Sequence, residues 1–155
     1  MNALARKVGD ALQARGLKLV TAESCTGGWV AMALTAIAGS SDWFERGYVT
    51  YSNEAKHEAL GVSADTLRGH GAVSEQTARE MAAGALARSH GQVALAITGV
   101  AGPTGGSADK PVGTVCFAWA DGSKILSETR RFDGDRESVR RQSVVHALQG
   151  VLELL

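Results

Sequence analysis

Apolar side chains recur along the chain with two spacings, and their alternation predicts the order of helices and strands. Leu4, Val8 and Leu12 are four residues apart, which predicts a helix over 3–15 with one apolar stripe. Helical spacing also predicts a helix over 29–37, a helix that begins at Asn53 and a short helical turn over 63–67. Two longer helices are predicted from Ser74 to about His90 and over 135–154. Short β-rich runs predict strands over 17–21, 48–51, 93–98, 113–120 and 124–132.

This succession of helices and strands is typical of a three-layer α/β/α sandwich with a mostly parallel sheet. The run 93–98 is continuously apolar, as expected of a strand buried on both faces of a sheet. Asp121-Gly122 predicts a tight turn, so the last two strands form one antiparallel hairpin. No repeat or linker divides the chain, and we expect a single domain over 1–155.

Composition excludes several classes of protein. Sixteen basic and sixteen acidic residues balance, which disfavours a strongly basic nucleic-acid-binding protein. Cys25 and Cys116 are too few for a disulfide scaffold or a dedicated zinc site, and no metal-ligand spacing stands out. No apolar run approaches the roughly 20 residues needed to span a bilayer, and the N-terminus lacks a signal-peptide pattern. We therefore expect a cytoplasmic protein with no metal and no membrane partner.

The first of two glycine clusters follows the strand over 17–21. Ser24 there is interpreted either as a helix N-cap or as a nucleophile. As a nucleophile, it would have main-chain N–H donors beside it for an oxyanion, from Cys25, Thr26, Gly27 and Gly28. The glycine-flanked nucleophile elbow of many hydrolases is absent, because Ala22 and Thr26 occupy the glycine positions.

A serine nucleophile needs a base, and none of the four histidines has the spacing of a triad partner. Lys56 lies five residues after Tyr51, near the start of a helix that Asn53 is expected to cap. Desolvation and the helix dipole would favour its neutral amine. The alternative is a solvated surface lysine. Tyr48 and Tyr51 are expected to share one strand face, where packing is their simplest role.

The second glycine cluster, Thr98–Gly106, matches neither a Walker A loop nor a dinucleotide fingerprint. It offers main-chain N–H groups and the hydroxyls of Thr98 and Thr104, which suit a phosphate or carboxylate. The alternative is a flexible surface loop. Arg136, Arg140 and Arg141 open the last helix, either as a clamp for a substrate anion or as a solvated face.

Four motifs together resemble the CinA C-terminal domain family: AESCTGG over 22–28, GYVTYSNEAK over 47–56, GAVS over 71–74 and TGVAGP over 98–103. They occur in order, and the resemblance covers about residues 5–150. Stand-alone members of that family deamidate nicotinamide mononucleotide to nicotinic acid mononucleotide and ammonia, in pyridine-nucleotide recycling. The resemblance implies a homodimer or higher homo-oligomer that needs no metal, and we expect no other cofactor. The balanced charge, and not the resemblance, leads us to expect no nucleic-acid partner.

By this resemblance Ser24 is the nucleophile, Lys56 the general base and Tyr51 the tyrosine that assists proton transfer. The substrate phosphate is expected near Thr98–Gly106. The candidate substrate-binding residues are Cys25, Thr26, Gly27, Gly28, Tyr48, Asn53, Thr98, Gly99, Gly102, Thr104 and Arg140. The rival function is a catalytically silent nucleotide-binding module of the competence- and damage-inducible type. Such a module could lose Ser24 or Lys56, whereas this chain has both.

Overall fold

A computed structural model describes residues 1–155 as one five-stranded sheet with helices on both faces. The strands are β1 (Leu19–Glu23), β2 (Phe44–Val49), β3 (Val93–Gly99), β4 (Thr114–Ala120) and β5 (Ile125–Arg131). The helices are α1 (Asn2–Ala14), α2 (Trp29–Thr35), α3 (Asn53–Leu60), α4 (Ala64–His70), α5 (Glu75–Ala87) and α6 (Arg136–Leu154), with a 3₁₀ turn at Ser40–Asp42.

The strands lie in the order β2-β1-β3-β4-β5. β1 is parallel to β2 and β3, whereas β4 is antiparallel to both β3 and β5. Four strands therefore run in one direction and β4 alone is reversed, which confirms the mostly parallel sheet. The predicted hairpin joins β4 to β5, and the Asp121 N–H donates to the Lys124 carbonyl oxygen across its turn at 3.0 Å. The chain after β3 also returns directly beside it, an antiparallel pairing that the sequence pattern did not predict.

Alternate side chains of the sheet enter two separate cores. Leu95 and Ile97 of β3 pack with α1, α2 and α6, while Ala94 and Ala96 pack on the opposite face beneath α5. This confirms the three-layer arrangement and a central strand that is buried on both faces. Small side chains on the second face let the helices approach closely there. A Cβ on Gly84 of α5 would lie 1.8 Å from the Leu60 carbonyl oxygen at the end of α3.

The second strand begins and ends earlier than predicted. Gly47 lies inside β2, where a Cβ would be only 2.8 Å from the Thr21 hydroxyl oxygen, so glycine permits close contact there. The Thr50 N–H donates to the Glu23 carbonyl oxygen at 2.9 Å, and the chain then leaves the sheet. Tyr51 thus lies beyond the strand. The expectation that Tyr48 and Tyr51 share one strand face is wrong.

Three connections meet at the carboxyl edge of the parallel strands. Ser24 follows β1, Tyr51 follows β2 and the loop 100–106 follows β3. Ligands of parallel sheets bind outside this edge, so the topology brings both glycine clusters to one place. No helix in the molecule is both long enough and apolar enough to cross a membrane.

Candidate active site

Ser24 opens a five-residue turn between β1 and α2. Its N–H donates to the Ile97 carbonyl oxygen at 2.9 Å, so its main chain is fixed to the sheet. Gly27 and Gly28 have φ of 59° and 101°, in the left-handed region that glycine favours. Because α2 begins only at Trp29 and Gly28 occupies its N-cap position, the interpretation of Ser24 as a helix cap is wrong.

Lys56 lies in the first turn of α3. The cap of this helix is Ser52, whose hydroxyl oxygen accepts from the Ala55 N–H at 3.0 Å, and not Asn53 as predicted. Helical side chains point back toward the N-terminus, which directs the Lys56 side chain to the carboxyl edge of the sheet. Its amine is 3.0 Å from Ser24 Oγ and 3.0 Å from the Tyr51 carbonyl oxygen. Two residues 32 positions apart are thus in direct contact.

The surroundings of Lys56 favour its neutral form. The residue is 1% exposed and no carboxylate lies in contact with its amine. Burial lowers the pKa of Lys56 below its ordinary value, and the positive end of the α3 dipole acts in the same direction. A neutral amine has a lone pair that can accept the Ser24 hydroxyl proton. The alternative of a solvated surface lysine is wrong.

Tyr51 contributes to the pair through its main chain. Its carbonyl oxygen accepts from Lys56 Nζ and lies 3.4 Å from Ser24 Oγ. Its side chain is 61% exposed, and the phenol oxygen accepts from Arg136 Nη2 at 3.2 Å. The phenol therefore does not bridge Ser24 and Lys56, which touch without it.

Glu23 is a further residue of the site, and no sequence motif predicted its role. Its carboxylate is fully buried and accepts from the Thr26 hydroxyl at 2.6 Å and from the Val30 and Ala31 N–H groups at 2.9 and 3.0 Å. A carboxylate at a helix N-terminus is favourable, so Glu23 holds the Ser24 turn against α2. An acid between a strand and a glycine-rich helix entrance was the signal that could have identified it.

Glu23 also determines which N–H groups remain available for an oxyanion. The first helical donors of α2 are occupied by its carboxylate, and the Gly27 N–H donates to the Ser24 carbonyl oxygen at 3.0 Å. The N–H groups of Cys25, Thr26 and Gly28 have no acceptor in another residue; Cys25 is 6% exposed, Thr26 is 0% exposed and Gly28 is half-buried. Of the four N–H groups predicted as oxyanion donors, that of Gly27 is therefore excluded.

Cys25 is not an alternative nucleophile. Its side chain is 6% exposed and belongs to the core between the sheet and α6. Burial raises the pKa of its thiol to about 12, so the reactive thiolate is scarce at neutral pH. Only its main chain faces the site, and its N–H donates to no carbonyl oxygen.

Two arginines of α6 point into the site. Arg140 donates through Nε to the Cys25 carbonyl oxygen at 3.0 Å and through Nη2 to the Thr26 carbonyl oxygen at 3.2 Å. Arg136 donates to the Gly102 carbonyl oxygen at 2.8 Å as well as to Tyr51. Arg141, by contrast, pairs with Glu137 at the surface.

The loop after β3 is less open than predicted. The Thr98 hydroxyl is buried and donates to the Ala72 carbonyl oxygen at 2.9 Å, so its proton is not free for a phosphate. Gly99 lies against β4, where a Cβ would be 2.9 Å from the Thr114 carbonyl oxygen. Thr104 is exposed, and the N–H groups of Gly102 and Thr104 donate to no protein acceptor. The anion-binding potential of this loop therefore lies in its main chain.

Two predicted substrate-binding side chains are not brought to the Ser24–Lys56 pair. The Tyr48 hydroxyl donates to the Arg88 carbonyl oxygen at 2.5 Å, because its ring lies against the core beneath α5. Asn53 is exposed and lines a cleft between α3 and α4.

Two clefts border the Ser24 turn and the loop after β3, but neither is lined by Ser24 or Lys56. One, of about 360 Å³, is lined by Thr26, Gly27, Gly28, Trp29, Met32 and Arg140. The other, of about 460 Å³, is bordered by the 101–103 loop and the start of α6. A larger cavity of about 520 Å³ lies beside the N-terminus of α5 and contains neither Ser24 nor Lys56. No group of three or more His, Cys, Asp or Glu side chains is arranged to hold a metal ion.

Comparisons with known proteins agree with the motifs. The family model of the CinA C-terminal domain matches residues 1–155. The nicotinamide-nucleotide amidohydrolase PncC of Escherichia coli K12 is 58% identical over 94% of this chain and 89% of its own length. PncC of Pseudomonas putida is 54% identical over 97% of this chain and 94% of its own length. The crystal structure of competence/damage inducible protein CihA from Agrobacterium tumefaciens has a TM-score of 0.96 at 48% identity, covering 99% of this chain and 94% of that one.

Proposed function

The chain belongs to the CinA C-terminal domain family, and we propose that it hydrolyses the carboxamide of nicotinamide mononucleotide, giving nicotinic acid mononucleotide and ammonia. The observation that carries the proposal is the 3.0 Å contact between Ser24 Oγ and the buried Lys56 amine. A hydroxyl beside a neutral amine is an activated nucleophile suited to acyl transfer. Relatives that match nearly the whole chain bear the name of this activity.

In the first half-reaction Lys56 Nζ accepts the Ser24 hydroxyl proton while Oγ attacks the carboxamide carbon. The carbonyl oxygen becomes an oxyanion, which the unpartnered N–H groups of the Ser24 turn (Cys25, Thr26 and Gly28) stabilise. The protonated Lys56 then gives its proton to the amide nitrogen, and the C–N bond breaks. Ammonia leaves, and the acyl group stays on Ser24 as an ester.

In the second half-reaction Lys56 takes a proton from water, whose oxygen attacks the ester carbon. The Ser24–acyl bond breaks, Lys56 returns the proton to Oγ, and the carboxylic acid gives its own proton to water and leaves as the carboxylate. Tyr51 assists through its carbonyl oxygen, which orients the Lys56 amine at 3.0 Å in both halves. Lys56 thus acts first as a base and then as an acid in each half-reaction.

The substrate phosphate binds near the loop after β3. The unpartnered N–H groups of Gly102 and Thr104 lie there, and the exposed Arg136 adds a positive charge beside them. Main-chain donors together with an arginine are well suited to a phosphate dianion. The resemblance to the family supports a homodimer or higher homo-oligomer as the active species.

The test is ammonia release from nicotinamide mononucleotide by the purified protein in the presence of a metal chelator. We expect a linear release of ammonia matched by equal nicotinic acid mononucleotide. A flat trace from correctly folded protein that still binds the mononucleotide would contradict the proposal and indicate a silent nucleotide-binding module.

A further inference from the structure

Arg140 contacts the Ser24 turn only through main-chain atoms. Its Nε and Nη2 hold the carbonyl oxygens of Cys25 and Thr26, at 3.0 and 3.2 Å. Its guanidinium carbon is 5.5 Å from the centre of the Trp29 ring, a distance at which the cation and the ring attract each other. It forms no ion pair with any carboxylate. Its charge is therefore directed at two peptide groups.

The direction of those two carbonyls determines the direction of two N–H groups. In a planar trans peptide the C=O and N–H bonds point in opposite directions. By holding the Cys25 carbonyl, Arg140 turns the Thr26 N–H away from α6, and this N–H has no protein acceptor. By holding the Thr26 carbonyl it orients the Gly27 N–H, which donates to the Ser24 carbonyl oxygen. A hydrogen bond to the carbonyl also polarises the peptide and strengthens its N–H as a donor.

The turn has a second, independent anchor. The Thr26 hydroxyl is bound by the buried Glu23 carboxylate, which also holds the start of α2. Glu23 thus fixes the side chain of Thr26. Arg140 fixes the two peptide groups that flank the Thr26 Cα, through the carbonyl oxygens of Cys25 and Thr26. A turn with two flexible glycines needs such anchors if its donors are to keep one orientation.

We infer that Arg140 is a positioning residue that orients the Thr26 N–H toward the oxyanion formed on the Ser24 substrate. This inference rests on the proposed function and assigns Arg140 a different role from the substrate-binding one expected from the sequence. A substrate clamp would act on the ground state and the transition state alike. A residue that orients an oxyanion donor acts mainly on the transition state.

The experiment compares Arg140→Lys and Arg140→Gln with the wild type and with Arg141→Lys, using nicotinamide mononucleotide. Lysine is a point charge that cannot hold two carbonyls as the planar guanidinium does. Arg141 is the matched control, since it is adjacent on α6, lies 5.9 Å from the same Trp29 ring and contacts no main-chain atom of the turn. Circular dichroism and thermal melting check that every variant is folded.

We expect both Arg140 variants to lose about 10- to 100-fold in kcat with KM changed by less than about 2-fold. Arg141→Lys should keep both values. An aldehyde analogue of the mononucleotide, which forms a hemiacetal on Ser24, should lose affinity for the Arg140 variants in proportion to kcat. The affinity for the product should stay constant.

A raised KM with unchanged kcat would overturn the inference in favour of a substrate clamp. Unchanged kcat and KM would also overturn it, and so would equal losses of affinity for the aldehyde and for the product. A wild-type protein that releases no ammonia would instead overturn the proposed function, so the two failures are distinguishable. If Arg140→Gln does not fold, the comparison rests on Arg140→Lys.

Discussion

At the scale of single residues, the site depends on an amine whose charge is suppressed. Lys56 has a hydroxyl and a carbonyl oxygen within 3.0 Å but no anion to stabilise an ammonium. The protein therefore buries a titratable amine without a counterion, which disfavours its charged form. Under the proposed mechanism, both the reaction rate and the stability of the fold then depend on pH.

The rate should rise with pH through the ionisation of Lys56, at a pKa below the ordinary value for lysine, because only the neutral amine accepts the Ser24 proton. Measuring kcat/KM against pH checks this. A rate that stays constant on acidification until the fold is lost would contradict the role of Lys56 as base.

The free energy of unfolding should also depend on the ionisation of Lys56. The pKa of Lys56 is lower in the folded state, so between the folded and unfolded pKa values the unfolded chain binds more protons, and the free energy of unfolding rises with pH. Lys56→Met, which replaces the amine with an apolar chain of similar length, should remove this dependence and be the more stable protein at low pH. Urea unfolding of both proteins at several pH values measures the difference, with the exposed Lys124→Met as the control. Parallel curves for wild type and Lys56→Met would contradict the assignment.

Tyr51→Phe separates the phenol from the main-chain carbonyl. The carbonyl that orients Lys56 is retained, while the hydroxyl that accepts from Arg136 is lost. We expect kcat to fall by less than about 10-fold. A positioned general acid–base group contributes at least about 100-fold, so a smaller loss indicates that the phenol does not transfer the proton. Steady-state kinetics on the mononucleotide measure it. A 100-fold or larger loss of kcat would instead place the phenol in the proton transfer.

At the scale of elements, the pair exists because a helix and a strand end are held in register. α3 carries Lys56, and its far end packs on α5 where Gly84 leaves room for the Leu60 carbonyl. The β1–α2 turn carries Ser24 and is anchored by Glu23 and Arg140. Small shifts of α3 against the sheet would therefore separate the Lys56 amine from Ser24 Oγ.

Gly84→Ala tests this packing. The added methyl group would clash with main-chain atoms of Leu60, so we expect a loss of about 1–3 kcal/mol in the free energy of unfolding together with reduced kcat. Gly69→Ala in α4 is the matched control, since its Cβ meets nothing within 4 Å and alanine favours helix by about 1 kcal/mol. Chemical denaturation and ammonia release report the two effects. Equal stability of both variants would show that the close approach of α3 and α5 is not needed.

The order of the elements was predictable from periodicity, whereas the contacts at the site were not. The apolar run 93–98 identified the central strand correctly, because burial on both faces imposes a local pattern. Ser52 rather than Asn53 caps α3, and β2 ends before Tyr51, because tertiary contacts decide such boundaries. The role of Glu23 depends on N–H groups seven and eight residues away, a relation that side-chain spacing does not encode.

At the scale of the whole molecule, equal numbers of acidic and basic residues leave no net charge to attract a polyanion. The arginines that face the site are engaged with carbonyls or with Tyr51, and Arg141 is paired with Glu137. The positive charge is therefore local and suited to one phosphate group.

We accordingly expect no binding of double-stranded DNA, even at about 50 mM salt, where phosphate contacts are strong. Fluorescence anisotropy with a labelled duplex measures this. Binding that weakens steeply as salt is raised would contradict the expectation and favour a nucleic-acid partner.

Ser24 is tested most directly by measuring ammonia release from nicotinamide mononucleotide by Ser24→Ala, with wild type and Ser123→Ala as controls. Ser123 lies in the β4–β5 turn and is the matched serine outside the site. We predict that Ser24→Ala folds normally and releases no ammonia above the uncatalysed rate, while Ser123→Ala matches the wild type. Ammonia release by folded Ser24→Ala at the wild-type rate would contradict the serine–lysine mechanism.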